Sequence, residues 1–294
     1  MSDIDWSQPF RRSGIAALSD LSSSVWQQTY ELLEQEQSRF LKSESEFRSP
    51  DYTWPRDPLH DWSRAWEYPY VFHQLKLLRD GWTSDRPPTV LDVGSGVTFF
   101  PFALARLGFD VICSDVDPIC ERDLSRAIAR VEHGPGHIRF RRADGTRIPC
   151  GSEEADALYC ISVLEHVPGF EELVLEMARS LKPGGLFVLT VDLDLRGDWD
   201  LGVRKHQTLL RTLERYFQYK WPECSVHPAD TLTSVNSPFA PKPAVGLGRQ
   251  WFLLKQNVIK PLFGRKPRPL VPFQLAIQGF TMVRRRDGWN ATPN

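Results

Sequence analysis

The apolar and polar positions between residues 86 and 192 alternate between strand-like and helix-like patterns. Apolar, β-branched runs predict buried strands at 90–93, 111–113, 138–141, 155–160 and 186–191. The segments between several of these runs have the apolar spacing of amphipathic helices. Because strands and helices alternate, we predict a parallel sheet with helices on both faces.

The flanking segments have different patterns. After an arm at 1–18 that we expect to be loose, apolar positions from Leu21 to Leu41 predict one long helix over 19–47. An aromatic and proline-rich loop at 49–62 is expected to cover another part of the fold, and a helix is predicted at 63–79. A further helix is predicted at 207–217, and the alternation at 273–284 predicts a last strand.

These patterns divide the chain into four parts. We predict an N-terminal helical extension or cap at 1–80 and a core at 81–218. A proline-rich insertion follows at 219–272, where a helix at 248–260 is expected because long structureless loops are uncommon. The final core strand and a tail occupy 273–294.

The chemistry-bearing stretch begins where the first core strand ends in Gly94-Ser95-Gly96. The second core strand ends on Asp115, and this order of strand, glycine turn, helix, strand and acid is typical of a nucleotide-binding unit. Glycine lets the backbone turn sharply beside a ligand, and a carboxylate can hold two ribose hydroxyls. A dinucleotide site would place glycine at position 99, where this chain has Phe99.

Residues 92–98 resemble motif I of the class I S-adenosylmethionine-dependent methyltransferases, although Thr98 stands where that family usually has its third glycine. The Leu-Glu-His-Val stretch at 164–167 and the Lys-Pro-Gly-Gly turn at 182–185 also resemble the family, in the family's order. The resemblance covers about 86–192 and is closest to the type 11-like small-molecule enzymes. It implies a Rossmann-like, doubly wound, mostly parallel seven-stranded sheet with an antiparallel edge strand.

The same resemblance implies S-adenosyl-L-methionine as the cofactor. Asp115 would bind both ribose hydroxyls, and Asp144 would accept a hydrogen bond from the adenine amino group. A turn-forming Asp144-Gly145 is the alternative interpretation of that pair. The predicted cofactor-binding residues are Asp92, Gly94, Ser95, Gly96, Asp115, Val116, Asp144, Gly145, Ile161 and Ser162.

Methyl transfer from a sulfonium requires alignment of the acceptor, the methyl carbon and the sulfur in a dry pocket. A general base helps when the acceptor is a hydroxyl, and histidine suits that role near neutral pH. His166, at the end of the fourth core strand, and His206, after the fifth, are the predicted catalytic residues. His166 could instead only line the site. The acids at 192–198 match no metal-ligand spacing, so no metal is predicted.

The resemblance implies an enzyme but does not specify its acceptor. A small molecule is expected, with O-methylation of a sugar or another biosynthetic intermediate as the first hypothesis. The alternative within enzymes is N- or C-methylation of a quinone, lipid or natural-product intermediate. The alternative from another class is a non-catalytic module that still binds S-adenosylmethionine.

Charge is unevenly distributed along the 294 residues, although the formal net charge is only −1. Residues 1–61 are acidic, whereas 241–294 contain ten basic residues and one acid. In the resembling family an insertion at this place often builds the acceptor side of the pocket. We therefore expect 219–272 to form a wall or lid there and to face an acceptor that carries a negative charge. A solvated basic surface, a membrane-surface helix and nucleic-acid binding are the alternatives, and no nucleic-acid partner or stable membrane insertion is predicted.

The remaining composition is that of an ordinary globular protein, with 41% hydrophobic and 25% charged residues. The five cysteines include no Cys-x-x-Cys pair, which favours free thiols in a reducing compartment. With no signal-peptide pattern or long apolar run, a cytoplasmic location is expected. The sequence does not indicate the oligomeric state.

Overall fold

The computed structural model describes residues 7–145, 147–196, 201–240 and 274–286. The described strands are β1 (Ser13–Ile15), β2 (Thr89–Val93), β3 (Asp110–Asp115), β4 (Ile138–Arg142), β5 (Ala155–Ile161), β6 (Leu181–Asp194), β7 (Phe217–Tyr219), β8 (Glu223–Cys224) and β9 (Leu275–Arg284). The described helices are α1 (Ser24–Leu41), α2 (Glu44–Phe47), α3 (Arg64–Asp80), α4 (Phe100–Arg106), α5 (Pro118–Arg130), α6 (Phe170–Ser180) and α7 (Val203–Tyr216).

The described strands form one mixed sheet in the order β4-β3-β2-β5-β6-β9-β1-β8, with β7 also paired to β9. Neighbouring strands in the series β4-β3-β2-β5-β6 all pair in parallel. Apolar side chains of α1, α3, α4 and α5 pack in one core cluster, and those of α6 and α7 pack in another. Layers on both sides of a mostly parallel sheet confirm the predicted doubly wound α/β fold.

The last strand is antiparallel as predicted, but its predicted place at the sheet edge is wrong. β9 pairs with β6 on one side, and both β1 and β7 pair with its other edge. Seven consecutive residues, 276–282, are buried, although the alternating sequence favoured a strand with one solvated face. Helices cover both faces of this part of the sheet, so its small and polar residues are also enclosed.

The sheet has nine described strands rather than the predicted seven, because short segments extend it beyond β9. One of them, β1, belongs to the arm that was expected to be loose. Arg12 in that arm forms a buried ion pair with Asp20 at 2.7 Å, and Trp66 Nε1 donates to the same carboxylate at 2.8 Å. These contacts tie the described residues of the arm to α3.

The long helix predicted over 19–47 is divided into three elements. A 3-10 turn at Leu18–Ser22 comes first, and Ser23 then takes an extended conformation before α1. The Ser23 hydroxyl accepts a hydrogen bond from the Trp26 backbone N–H at 3.1 Å and caps the new helix. The apolar spacing continues across this break and does not mark it. The sequence pattern therefore predicted a single helix.

Other expectations fall partly outside the described residues. The helix predicted at 248–260 and most of the basic insertion lie in 241–273, which the structure does not describe. No helix of the described part is long and apolar enough to cross a membrane. All five cysteines lie in the described residues and are buried free thiols.

Candidate functional site

A cavity of about 790 Å³ opens where the carboxyl ends of β2, β3, β5 and β6 meet, which is where α/β sheets place their ligands. Its volume falls within the range of small-molecule pockets, about 300–1,000 Å³. Predicted cofactor residues on its wall are Asp92, Gly94, Ser95, Gly96, Asp115 and Val116. The wall continues with the predicted residues Gly145, Ile161, Ser162 and His166.

The glycine turn after β2 is held against the end of β3 by backbone hydrogen bonds. The N–H groups of Gly94 and Ser95 both donate to the Ser114 carbonyl, at 2.8 and 3.1 Å. Gly94 has a φ of +77° and Gly96 a φ of +54°, which is the left-handed region that favours glycine. The turn therefore presents bare backbone to the cavity.

Asp115 lies beside this turn and is half-buried on the cavity wall. Its Oδ2 accepts from the Gly96 N–H at 2.9 Å, and its Oδ1 accepts from the Asp117 N–H at 3.0 Å. A carboxylate has about four acceptor positions, so each oxygen retains capacity for one ligand hydroxyl. The two N–H donors hold the carboxylate in one orientation beside the turn.

Asp92, on the cavity wall at the end of β2, is 4% exposed. Burial raises its pKa to about 8, and the nearby charge of Asp115 adds to the shift. The folded protein therefore keeps a proton on Asp92 at pH values where the unfolded chain has released it.

This shift predicts that the free energy of unfolding falls as pH rises from about 4 to about 8, by at most about 1.4 kcal/mol per pH unit from this group. Asp92→Asn should remove that contribution and flatten the profile. Urea denaturation of both proteins at pH 6, 7 and 8.5 provides the measurement. Parallel profiles for the two proteins would contradict the assignment.

The aromatic loop before α3 covers the cavity, as the sequence suggested in general terms. Tyr52 accepts a hydrogen bond at its hydroxyl from the Val97 N–H at 3.2 Å, and Arg48 donates to the Val97 carbonyl at the same distance. The Arg48 guanidinium also lies 4.5 Å from the centre of the Tyr52 ring. Trp54 and Trp62 line the cavity further along. The loop is thus fastened to the glycine turn that it covers.

Four charged residues at one end of the cavity were not predicted as site residues. Arg64, the first residue of α3, forms an ion pair with the buried Glu67. Glu67 Oε1 accepts from Ser162 Oγ and Thr190 Oγ1, both at 2.6 Å. Glu165 Oε1 accepts from the Asp192 N–H at 3.0 Å. The name acid end is used below for this cluster of Arg64, Glu67, Glu165 and Asp192. Two of its members, Arg64 and Asp192, line the cavity.

The structure does not bring two predicted residues to this cavity. Asp144 is absent from the described lining and lies on a neighbouring cavity of about 550 Å³. Its Oδ1 accepts from the Arg147 N–H at 2.8 Å, which fits the turn-forming alternative. His206 is also absent from the described lining, and its Nε2 lies 2.6 Å from Gln278 Oε1. His206, on α7, is therefore directed toward β9.

Comparison with known proteins identifies the part of the chain that contains this site. Residues 91–189 match the family model described as a methyltransferase domain. An uncharacterized methyltransferase of Mycobacterium sp. (strain JLS) is 37% identical over 130 residues, which cover 44% of this chain and 49% of the relative. Another from Mycobacterium ulcerans (strain Agy99) is 34% identical over 147 residues, covering 48% and 56%.

The chain thus spans about half the length of the curated relatives that it matches. Among solved structures, the cyclase SpnF aligns with 94% of this chain and 100% of its own, at 17% identity and a TM-score of 0.52. This likeness shows a shared fold. The matched residues include the glycine turn, Asp115 and His166 on the cavity wall. Residues 91–189 therefore match a methyltransferase domain, in agreement with the resemblance of this part of the chain to the class I S-adenosylmethionine-dependent family.

Proposed function

We propose that this protein transfers a methyl group from S-adenosyl-L-methionine to a small-molecule acceptor bound in the same cavity. A hydroxyl oxygen of a sugar or another biosynthetic intermediate is the first candidate for the acceptor atom, and a nitrogen or carbon is the second. The observation that carries the proposal is the Asp115 carboxylate, oriented by two backbone N–H groups beside a glycine turn on an open cavity.

The residues at the turn fit the cofactor. Each Asp115 oxygen already accepts one N–H and has room to accept one ribose hydroxyl. Gly94 and Gly96 leave the backbone uncovered where the amino-acid part of the cofactor would pass. Ile161 offers an apolar contact on the same wall, and Gly145 adds open backbone. A dinucleotide site would have its third glycine at position 99. This chain has Phe99 there, and the ring is buried in the core.

When bound, S-adenosylmethionine supplies a methyl group that is already activated on a sulfonium. The protein then has to align the acceptor and to exclude water. Trp54 and Trp62 contribute apolar wall on the loop that covers the cavity, and the contacts of Tyr52 and Arg48 fasten that loop to the turn. His166 lies on the same wall and is the candidate base for a hydroxyl acceptor.

The test is calorimetric titration of the protein with S-adenosylmethionine and, separately, with NADH. We expect binding of the first and not of the second. Asp115→Ala should weaken S-adenosylmethionine binding by about 1.5–3 kcal/mol, or about 10- to 150-fold, because charge-assisted hydrogen bonds to the ribose are lost. Unchanged affinity in a folded Asp115→Ala protein would contradict the proposed site.

Catalysis requires its own measurement. The protein is incubated with S-adenosylmethionine carrying a radiolabelled methyl group and a small-molecule cell extract. Transfer of label into an extract component, abolished by Asp115→Ala at low cofactor concentration, is the expected result. Cofactor binding without transfer into any fraction would favour the non-catalytic binding module. The expected role of the basic insertion in binding an anion stays a prediction, since 241–273 lie outside the described residues.

A further inference from the structure

The acid end gives a more specific indication of the acceptor. We propose that Asp192, supported by Glu165 and Glu67, binds a positively charged ammonium group of the acceptor. The inference rests on the proposed function, because it assumes that an acceptor enters this cavity. The ammonium group would hold the acceptor in place. The atom that is methylated can be a different one.

The first support is a pair of carboxylate oxygens without partners. Asp192 lines the cavity, and its Oδ1 is buried with no hydrogen-bond partner among the described residues. Glu165 is 2% exposed, and its Oε2 likewise lacks a partner within the described part of the chain. An unsatisfied buried carboxylate oxygen is costly, so a native site of this kind requires an explanation. A ligand in the cavity that donates a hydrogen bond to Asp192 would supply a missing partner.

The second support is the balance of charge. Glu67, Glu165 and Asp192 face one another, with Asp61 also near Asp192, and Arg64 is the cation that acts on them. Lys205 on the neighbouring α7 donates to the Glu165 backbone carbonyl at 2.6 Å. Among the described residues the acid end thus has more carboxyl groups than paired cations.

Burial and the neighbouring negative charges raise the pKa values of two of these carboxyl groups. Burial raises the pKa of Glu165 to about 7, and repulsion from Glu67 adds to it. Burial, followed by the charges of Glu67 and Glu165, raises the pKa of Asp192 well above its usual range. A bound cation would relieve this repulsion and stabilise the ionised carboxylates. An anionic group at the same place would add to the repulsion.

The surrounding walls suit an organic cation. Trp54, Trp62, Tyr68 and Phe100 line the same cavity as Asp192. Aromatic faces attract ammonium groups and also cover the apolar part of a ligand. The acceptor class that fits is an amine with an aromatic or aliphatic body. This differs from the anionic acceptor that the basic insertion suggested from sequence.

The cofactor offers a competing explanation, because its sulfonium is also a cation. If the acid end served the sulfonium, Asp192→Asn would weaken the binding of S-adenosylmethionine and leave its neutral-sulfur product, S-adenosylhomocysteine, unaffected. If it served the amino group of the cofactor, both would bind more weakly. If it serves the acceptor, the affinities for both should change less than about threefold, since no charged hydrogen bond to the cofactor is lost.

The experiment uses 2-phenylethylamine and phenylacetate as matched probes of opposite charge. Each is titrated into the full-length protein saturated with S-adenosylhomocysteine, and weak binding is measured by ligand-observed NMR. We expect the amine to bind at least tenfold more tightly than the carboxylate. Asp192→Asn should weaken amine binding at least tenfold, which corresponds to one lost charged hydrogen bond.

The matched control is Asp194→Asn, the same change two residues further along β6. Asp194 is absent from the described cavity lining, and its Oδ1 accepts from the Arg196 N–H at 2.9 Å. It should leave amine binding unchanged. Retained affinity of Asp192→Asn for S-adenosylhomocysteine shows that the variant is folded. The proposal is overturned if the carboxylate binds as well as the amine, if neither binds, or if Asp192→Asn keeps full amine affinity.

Failure of this inference is separable from failure of the proposed function. Both titrations are repeated on the protein without S-adenosylhomocysteine, so the amine result does not depend on cofactor binding. The wild-type affinity for S-adenosylmethionine is measured independently. Wild-type cofactor binding together with any of the three overturning results rejects the ammonium site alone. Absence of cofactor binding rejects the proposed function.

Discussion

Gly94→Val is expected to abolish measurable binding of S-adenosylmethionine and to lower the free energy of unfolding by about 2–6 kcal/mol. Two costs combine in this estimate: a β-branched residue in the left-handed region costs about 1–3 kcal/mol, and overpacking costs about 1–3 more. At a φ of +77°, a Cβ on Gly94 would lie 2.4 Å from Val163 Cγ2. Both residues line the cavity, so relieving this contact would change the wall on which the cofactor is proposed to bind.

Gly145→Val separates the two costs. Gly145 has a φ of +93°, but a Cβ placed there would meet no described atom within 4 Å. This control should lose only the backbone contribution, about 1–3 kcal/mol. Urea denaturation measures both variants, and calorimetry measures cofactor affinity. A Gly94→Val protein as stable as the Gly145→Val protein would show that the contact with Val163 is not restrictive.

A second pair of variants tests the contact directly. Val163→Ala removes Cγ1 and Cγ2, which lie 3.2 and 2.4 Å from the position of a Cβ on Gly94. Gly94→Ala should therefore be less destabilising in the Val163→Ala background than in the wild type. The difference is the coupling energy of a double-mutant cycle, and neighbouring residues typically couple by about 0.5–3 kcal/mol. Simple additivity would attribute the cost of Gly94→Ala to backbone conformation alone.

The parallel part of the fold was predictable because its signals are local. A strand buried on both faces is a mostly apolar run, and β2 and β5 are such runs, each interrupted by one aspartate. The glycine turn and Asp115 follow their strands directly, so the topology of a parallel sheet brings them to one edge. The residues at these strand ends could therefore be placed together before any contact was known.

The position of β9 could not be deduced in the same way. Its alternating sequence indicated a strand, but strand pairing depends on segments far away in the chain. Ile15 pairs with Gln278 and Asp194 pairs with Leu275, and neither register leaves a pattern in one segment. Burial of Gln278 and Thr281 by packed helices also hides the polar face that an edge strand would show.

The acid end is the clearest example of a site that sequence reasoning missed. Glu67 meets Ser162 and Thr190, which are 95 and 123 residues away along the chain. One signal was present: Glu67 stands within a run of large apolar residues that face the core. A charged residue in such a run is seldom buried without partners, so it predicted a polar site beneath α3. The identity of the partners required the fold.

Two histidines were predicted as bases, and the fold separates them. His166 ends the 3-10 turn at Leu164–His166 after β5, and it lines the cavity. His206 lies on α7 and contacts Gln278 of β9. The two residues can therefore be compared directly, because His166 lines the cavity and His206 contacts β9 instead.

We expect His166→Ala to lower kcat by about 10²- to 10⁴-fold, the usual contribution of a general base, while the affinity for S-adenosylmethionine stays unchanged. His206→Ala should lower kcat less than tenfold, since it removes a contact with β9 and not with the cavity. Both variants are assayed with the acceptor identified by the labelled-transfer screen, and cofactor affinity is measured by calorimetry.

The size of the two effects distinguishes mechanisms. A large loss for His166→Ala alone identifies it as the group that accepts a proton from the acceptor hydroxyl or ammonium during transfer. Losses under tenfold for both would contradict that role and leave alignment in a dry cavity as the main source of rate. That result would favour an acceptor nitrogen that is nucleophilic without a base. A large loss for His206→Ala would instead mean that its contact with Gln278 controls the position of β6, and with it Asp192.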